Sequence, residues 1–354
     1  MSIITKDPHT WFTVIDKEGN KQTVYNNERY EHNYPFGFQA NFSDTPTPPI
    51  NTVTIYNMAK KHRDFYHRKQ KCYLYFNWGT SKKLLSEGYI SKIDTNQSDG
   101  VTDTLVITFT EGTSYANVQA RKLKIKKTKE VTKHKTIKVP VKGKFITKRE
   151  PYKVTEVYKR GPKKGQTHIV THYRKKQVWQ KARTKNRRIK YRGTKTKMVN
   201  LSFKAGKSYK TIISGIASQT GIKLESIDLH KNPVMKKAYT AKGGKPLNLI
   251  KDLVKKTGSQ LTYIRGKLCI VDPHKNHRTW YHIDDKDLVQ PPTYNENDGG
   301  EGTWEIITPL IPEVTVNVGI VMESRYLKGK YYVKAGQHTS DGENPQTQCS
   351  LAKL

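Results

Sequence analysis

The sequence predicts a mainly β protein with a small α+β domain and a basic β-hairpin insertion. Three observations predict it. Short runs of aromatic and β-branched residues, several alternating with a period of two, fill the first third and the last part of the chain. Turn-forming clusters separate those runs at close intervals. Between them the composition changes abruptly, to about 30 Lys and Arg against about three acids over residues 121–197.

The chain has 354 residues, enough for two or three domains with a sizeable core. Its hydrophobic fraction of 34% is low for one compact globule, and the deficit is local to the basic stretch. A formal net charge of +35 repels itself, so the molecule gains from an anionic partner or a multi-subunit setting. The start, MSIITKDPHT, lacks the apolar run of a secretory signal. No stretch approaches the roughly 18–20 apolar residues of a membrane span, so synthesis and folding in the cytoplasm are expected. Cys72, Cys269 and Cys349 are too few and too scattered for a disulfide framework and read as reduced thiols.

Residues 1–120 read as a β-barrel or sandwich domain. The expected strands are Trp11–Ile15, Phe36–Ala40, Val53–Tyr56, Cys72–Phe76, Gly88–Ile93 and Leu105–Phe109. Turns are expected at Glu18-Gly19-Asn20, Pro46–Pro49, Asp99-Gly100 and Glu111-Gly112.

Residues 121–197 are basic but not of disordered composition. Val154, Val157, Tyr158, Ile169, Val170, Tyr173, Val178 and Trp179 are interleaved with the cations. Lys153–Arg160, a turn over Gly161–Gly165 and Thr167–Gln177 predict a hairpin. The segment reads as extended strands projecting from the body.

Residues 198–275 predict a small α+β domain. Ser208 is placed to cap a helix running through Thr220, with Tyr209, Ile212, Ile213, Ile216 and Ala217 on one face and Gly221 as its left-handed stop. Pro246 opens a second helix, lined by Leu247, Ile250, Leu253 and Val254 and ended by Gly258. Strands are expected at Ile222–Leu224, Leu261–Ile264 and Lys267–Val271, the last two joined by Arg265-Gly266. Residues 276–354 return to strands, expected at Val314–Val318, Gly319–Ser324 and Lys330–Ala335, with a turn at Lys328-Gly329.

Several motifs in this order are similar to those of phage tail-tip (baseplate) hub proteins. Val53-Thr-Ile-Tyr-Asn57 is followed by the strand Cys72–Trp78 and by Gly88-Tyr-Ile90. The stretch before Thr220-Gly221-Ile222 is similar to the middle of those hubs. Val318–Ser324, Leu327–Val333 and Gln337-His338-Thr339 resemble their closing barrel. The basic segment departs from the pattern and behaves as an insertion.

The resemblance implies two related β-barrel domains, 1–120 and 276–354, flanking the insertion and the α+β domain. It implies a homotrimeric ring that continues the tail tube at the virion's tail tip. The lumen of that ring would pass the tape measure protein and then DNA. Implied partners are a distal tail or tail tube protein, the tape measure protein and a tip or receptor-binding protein. A chain ending at Leu354 would be a minimal hub.

Other chemistries fare less well. An anionic partner could be held by Lys126, Lys127, Lys159, Arg160, Lys163, Lys164, Arg174, Lys175, Lys176, Trp179, Arg187 and Arg188. That partner could be DNA, a wall polymer or an acidic tail protein, and a merely solvated face is the bland alternative. Cys269, Asp272, His274, His277 and His282 form a candidate metal cluster with no trusted spacing. His168 and His172 share a strand face and suit stacking better than ligation.

Gly206-Lys207-Ser208 has a P-loop ending, but Leu201 stands where its glycine is needed. Asn41, Asn96 and Asn200 begin sequons that matter only in a secreted chain. Asp284, Asp285 and Asp287 read as a turn, and no nucleophile sits in a catalytic motif, so neither an enzyme nor a cofactor is expected. Residues 205–221 loosely resemble a LysM peptidoglycan-binding module, which leaves wall binding as an alternative.

Overall fold

The computed structural model describes residues 7–26, 34–97, 102–275, 279–296 and 302–354. The expected Asp99-Gly100 turn and His277 lie outside these residues. Two compact units result: Met1–Ile125 together with Asn200–Leu354, and Lys126–Val199.

The first unit begins with β1 (His9–Ile15), β2 (Lys21–Tyr25), β3 (Phe36–Ser43), β4 (Ile50–Tyr56), the single-turn helix α1 (Lys60–Arg63), β5 (Lys71–Asn77), β6 (Lys83–Gln97) and β7 (Asp103–Glu111). All six expected strands are present. The alternation does what it should: β5 buries Cys72, Leu74 and Phe76, and β7 buries Leu105, Ile107 and Phe109. These side chains join Phe12, Val14, Val53 and Ile55 in one apolar cluster. Strand β2 has no counterpart among the expected strands, because its five residues include only Val24 and Tyr25 as large buried hydrophobics.

Strands β8 (Lys124–Val141), β9 (Lys144–Val157), β10 (Thr167–Gln180) and β11 (Arg183–Asn200) follow and form the second unit. The chain then returns through β12 (Ser202–Phe203), α2 (Tyr209–Thr220), β13 (Ser226–Ile227), β14 (Tyr239–Thr240), α3 (Pro246–Lys256), β15 (Gln260–Ile264) and β16 (Lys267–Val271). Ser208 caps α2, its hydroxyl accepting from the Thr211 amide at 3.3 Å, and Gly221 ends it at φ 75°. The apolar faces of α2 and α3 meet Leu261, Tyr263, Leu268 and Ile270 in a second cluster.

The strand expected at Ile222–Leu224 is displaced to Ser226–Ile227. Ile222 is instead pulled into the helix stop, its amide donating to the Ala217 carbonyl at 3.0 Å. The pair β15–β16 turns through Arg265 and Gly266, both at positive φ, as a tight two-residue hairpin requires.

The closing part comprises β17 (Trp280–Ile283), β18 (Gln290–Asn295), β19 (Thr303–Pro309), β20 (Gly319–Glu323), β21 (Lys328–Ser340) and β22 (Gln346–Lys353). The alternating Val314–Val318 is not a strand. Val314 and Val316 dip into a third cluster from a turn that places Asn317 at φ 67°. The turn expected at Lys328-Gly329 falls instead before Lys328, because these two residues already pair with Glu323 and Met322.

Thirteen strands form one sheet, in the order β18-β19-β22-β21-β3-β4-β7-β6-β5-β1-β2, with β20 and β17 attached through β21. The two strand-rich ends, expected as two barrels, each have their own core but share this sheet. Among the described residues the pairing path is open, with no hydrogen-bonded ring. The joint is β3–β21, running from Ser43 opposite Ala335 to Phe38 opposite Ser340.

Strand β21 serves both halves. Its first residues, Lys328–Tyr332, pair with β20; from Ala335 onward it pairs with β3. A register shift against β22 between Val333 and Ala335 marks the change. An extra residue of this kind bends a strand and re-aims its edge. Gly336 follows at once, and a Cβ there would meet the Phe42 ring at 2.7 Å and the Gln348 carbonyl at 2.3 Å.

Candidate functional site

Two places in the molecule hold polar groups in defined arrangements. The first is where the β7, β15–β16 and β21 regions converge. Glu111 is buried at the end of β7. Its Oε1 accepts from the Gly266 amide at 2.8 Å, and its Oε2 accepts from Ser86 at 2.7 Å and from Asn51 at 3.4 Å. Burial raises its pKa and those three donors oppose the rise. Arg265 donates to the Pro312 carbonyl at 3.1 Å, and Thr262 donates to the Ser43 carbonyl at 2.6 Å.

Nearby, His338 is fully enclosed. Its Nε2 faces the Val314 carbonyl at 3.0 Å, and its Nδ1 faces the Thr347 hydroxyl at 2.8 Å. A carbonyl only accepts, so Nε2 carries the proton and the ring is the neutral tautomer. Burial holds its pKa down at about 3. These groups are fully used in holding the three parts of the unit together. Nothing in their geometry presents a nucleophile to a substrate.

The sequence-nominated metal ligands do not converge. Asp272 pairs with His230, His282 with Glu323, and Cys269 lies buried in β16. No group of three or more ligand-type residues is assembled among the described residues. Asp284 and Asp287 close a turn, and Asp285 accepts from the Ser324 hydroxyl at 2.6 Å. A cleft of about 590 Å³ lined by Tyr294, Trp304 and Tyr331 holds His274 and Lys353. None of its lining side chains is a carboxylate, a serine hydroxyl or a cysteine thiol.

The second place is the basic unit. Strands β9 and β10 pair antiparallel over fourteen residues, from Val157–Thr167 to Lys144–Gln180. Strands β8 and β11 form a second two-stranded sheet. The connection at 158–166 is closed by two backbone bonds between Tyr158 and its partners Gly165 and Gln166, at 3.1 and 3.0 Å. The strands are longer than the sequence suggested, because pairing continues through the cationic positions that periodicity alone could not assign.

All twelve nominated contact residues are exposed. Lys126 and Lys127 lie on β8, Arg187 and Arg188 on β11, and Arg174, Lys175, Lys176 and Trp179 on β10. Lys159, Arg160, Lys163 and Lys164 crowd the tip. A strand sends successive side chains to opposite faces, so this set is divided in two. Arg174 and Lys176 share one face with Glu150 and both bond its carboxylate, at 3.0 and 2.8 Å. Those two cations hold the Glu150 carboxyl below its ordinary pKa. His172 meets Glu156 on the same face at 2.7 Å, and His168 stacks on Tyr158 at 4.0 Å between centroids. Lys175 and Trp179 point the other way. There Trp179 meets Phe145 edge-on at 4.9 Å.

The architecture is therefore one of sheets and ribbons that present surfaces. No protein-family model and no curated protein matches the sequence. Among solved structures, the chain is similar over its whole length to the 43 kDa tail protein of prophage MuSo2 from Shewanella oneidensis. The identity is 9%, 98% of each chain is covered, and the TM-score is 0.54. A tail protein from Neisseria meningitidis MC58 gives 7% identity over 97% of this chain and 96% of that one, at a TM-score of 0.49. The chain thus shares its fold with that prophage tail protein, in line with the resemblance of the sequence motifs.

Proposed function

We propose that this chain is a structural subunit of a phage-type tail, acting as the tail-tip hub that closes the tail tube. The observation that carries the reading is the fold shared end to end with the prophage tail protein. The β3–β21 joint supports it, because it fuses the first and last strand-rich parts into one continuous sheet. A body built this way suits stacking against identical copies around an axis, where function comes from closed symmetric packing.

In this reading three copies form a ring whose lumen passes the tape measure protein and then DNA. The ring contacts a distal tail or tail tube protein on one side and a tip or receptor-binding protein on the other. The stretch 205–221 supplies helix α2, whose apolar face is consumed by α3 and β15–β16, so it supports a core role over wall binding.

The test is negative-stain imaging of the purified protein with light scattering alongside. Rings of three copies around an open channel are expected. Compact monomers at high protein concentration would overturn the proposal.

A further inference from the structure

Residues 126–199 carry 27 Lys and Arg and three acidic residues, Glu130, Glu150 and Glu156. All three acids occupy even-numbered positions. In β9–β10 the cross-strand register pairs odd with odd and even with even, so parity defines the two faces. The β8–β11 pair keeps the same rule: Thr128 meets Thr196, and Lys135 lies over the Tyr191 ring. In each of the two ribbons the odd-numbered face therefore holds no acid, and on β9–β10 its cations Arg149, Lys153 and Lys175 have no carboxylate on their side.

The apolar surface follows the same division. Ten large hydrophobic side chains of this unit are exposed, and seven are odd-numbered. Phe145 and Tyr173 are each 65% exposed, Ile169 66% and Trp179 53%. Two-stranded ribbons are marginal in water by themselves. A face that combines bare aromatic rings with unpaired cations is incomplete without a partner that screens the charge and covers the rings.

We propose that the odd-numbered face of this ribbon binds nucleic acid. Phosphates would neutralise Arg149, Lys153 and Lys175, and bases would stack on Phe145, Tyr173 and Trp179. Rings beside cations favour this over an acidic protein surface or a wall polymer, neither of which offers flat π-faces in register with its charges. A second copy of the same ribbon would oppose cation to cation. The duplex major groove also admits a two-stranded ribbon, so single-stranded and duplex forms are separate arms of the test. The proposal stands apart from the hub reading, since it needs no ring.

The experiment is fluorescence anisotropy of a labelled oligothymidylate, and of a duplex of equal length, titrated with the full-length protein over a salt series. Three variants are compared, each checked for folding by circular dichroism. The odd-face triple variant is Arg149→Gln, Lys153→Gln and Lys175→Gln. The even-face control, equal in charge and on the same ribbon, is Lys144→Gln, Lys148→Gln and Lys176→Gln. The third is Phe145→Ala with Trp179→Ala.

The odd-face triple should lower the log–log salt slope on the single strand by about two, and the even-face triple by much less. The aromatic variant should weaken single-strand binding by roughly five- to a hundredfold per stacked base. Equal slope losses in both triples would overturn the facial assignment. Absence of binding would overturn the proposal outright. Displacement of the oligonucleotide by poly-glutamate at equal charge would make the partner an acidic protein and would also overturn it.

Discussion

Acidification should unfold this protein through one buried ring, His338. The imidazole lies in the third core cluster beside Phe42, 5.0 Å between centroids. Its two nitrogens are committed to the Val314 carbonyl and the Thr347 hydroxyl. With the proton on Nε2, Nδ1 only accepts, so the Thr347 hydroxyl donates to it while accepting from the Ile311 amide at 3.0 Å. A proton on Nδ1 would break this arrangement and place a charge in a buried, apolar setting. The folded pKa is accordingly about 3, against 6.5 for the free side chain.

Because the folded value is depressed, the stabilisation is fully present above pH 6.5 and drains away as pH falls toward 3. At up to about 1.4 kcal/mol per pH unit, moving from pH 7 to about 4.5 removes about 2–3 kcal/mol. Glu111 acts in the opposite sense. Its raised carboxyl contributes fully below its unfolded value, and that contribution is lost as pH rises, so it softens the acid limb. The clean measure is the difference between the wild type and His338→Gln. Urea midpoints between about pH 7 and 4.5 should fall more steeply for the wild type, by roughly that amount over the range. Parallel slopes, or an NMR titration placing His338 near 6.5, would refute the argument.

Four further outcomes follow from particular contacts. Ser208→Ala removes the α2 cap and should cost about 1 kcal/mol, read as a Tm lowered by a few degrees. Gly336→Ala forces a methyl against Phe42 and the Gln348 carbonyl, so a loss of about 2–3 kcal/mol is expected in urea unfolding. Glu111→Ala strands the Gly266 amide, Ser86 and Asn51 and should cost about 3 kcal/mol, with Glu111→Gln intermediate. Replacing 126–199 by a short Gly-Ser linker should shift Tm by no more than about 3 °C by calorimetry. All three buried clusters lie outside that unit, and the Leu201 amide already donates to the Leu123 carbonyl at 2.8 Å.

The sequence alone was enough for most of the local structure. Alternation placed β1, β3–β7, β15, β16 and β20, because side-chain period two is a property of the extended backbone itself. Helices α2 and α3 were legible from cap to stop, since Ser208, Gly221, Pro246 and Gly258 act within a turn of their own positions, whereas the single turn α1 carries no such signals. The cationic stretch was recognisable as hairpin and not tail from its interleaved aromatics. Where local pattern and tertiary demand diverged, the reading failed. Val314–Val318 alternates because two valines reach a core from a turn. Strand β22 was overlooked because Thr347, Cys349 and Leu351 make a modest apolar face among glutamines.

Only the tertiary structure decided which strands are neighbours. The β3–β21 joint links residues some 300 positions apart, and it depends on a bulge and on Gly336 admitting Phe42. The division of the basic ribbon is of the same kind. Arg174 and Lys175 are adjacent cations of equal charge in the sequence, but a one-residue step turns one onto Glu150 and the other to the acid-free face. Propensity acts between residues close in the chain; partner choice and facing are set by register, which is fixed only when distant edges meet.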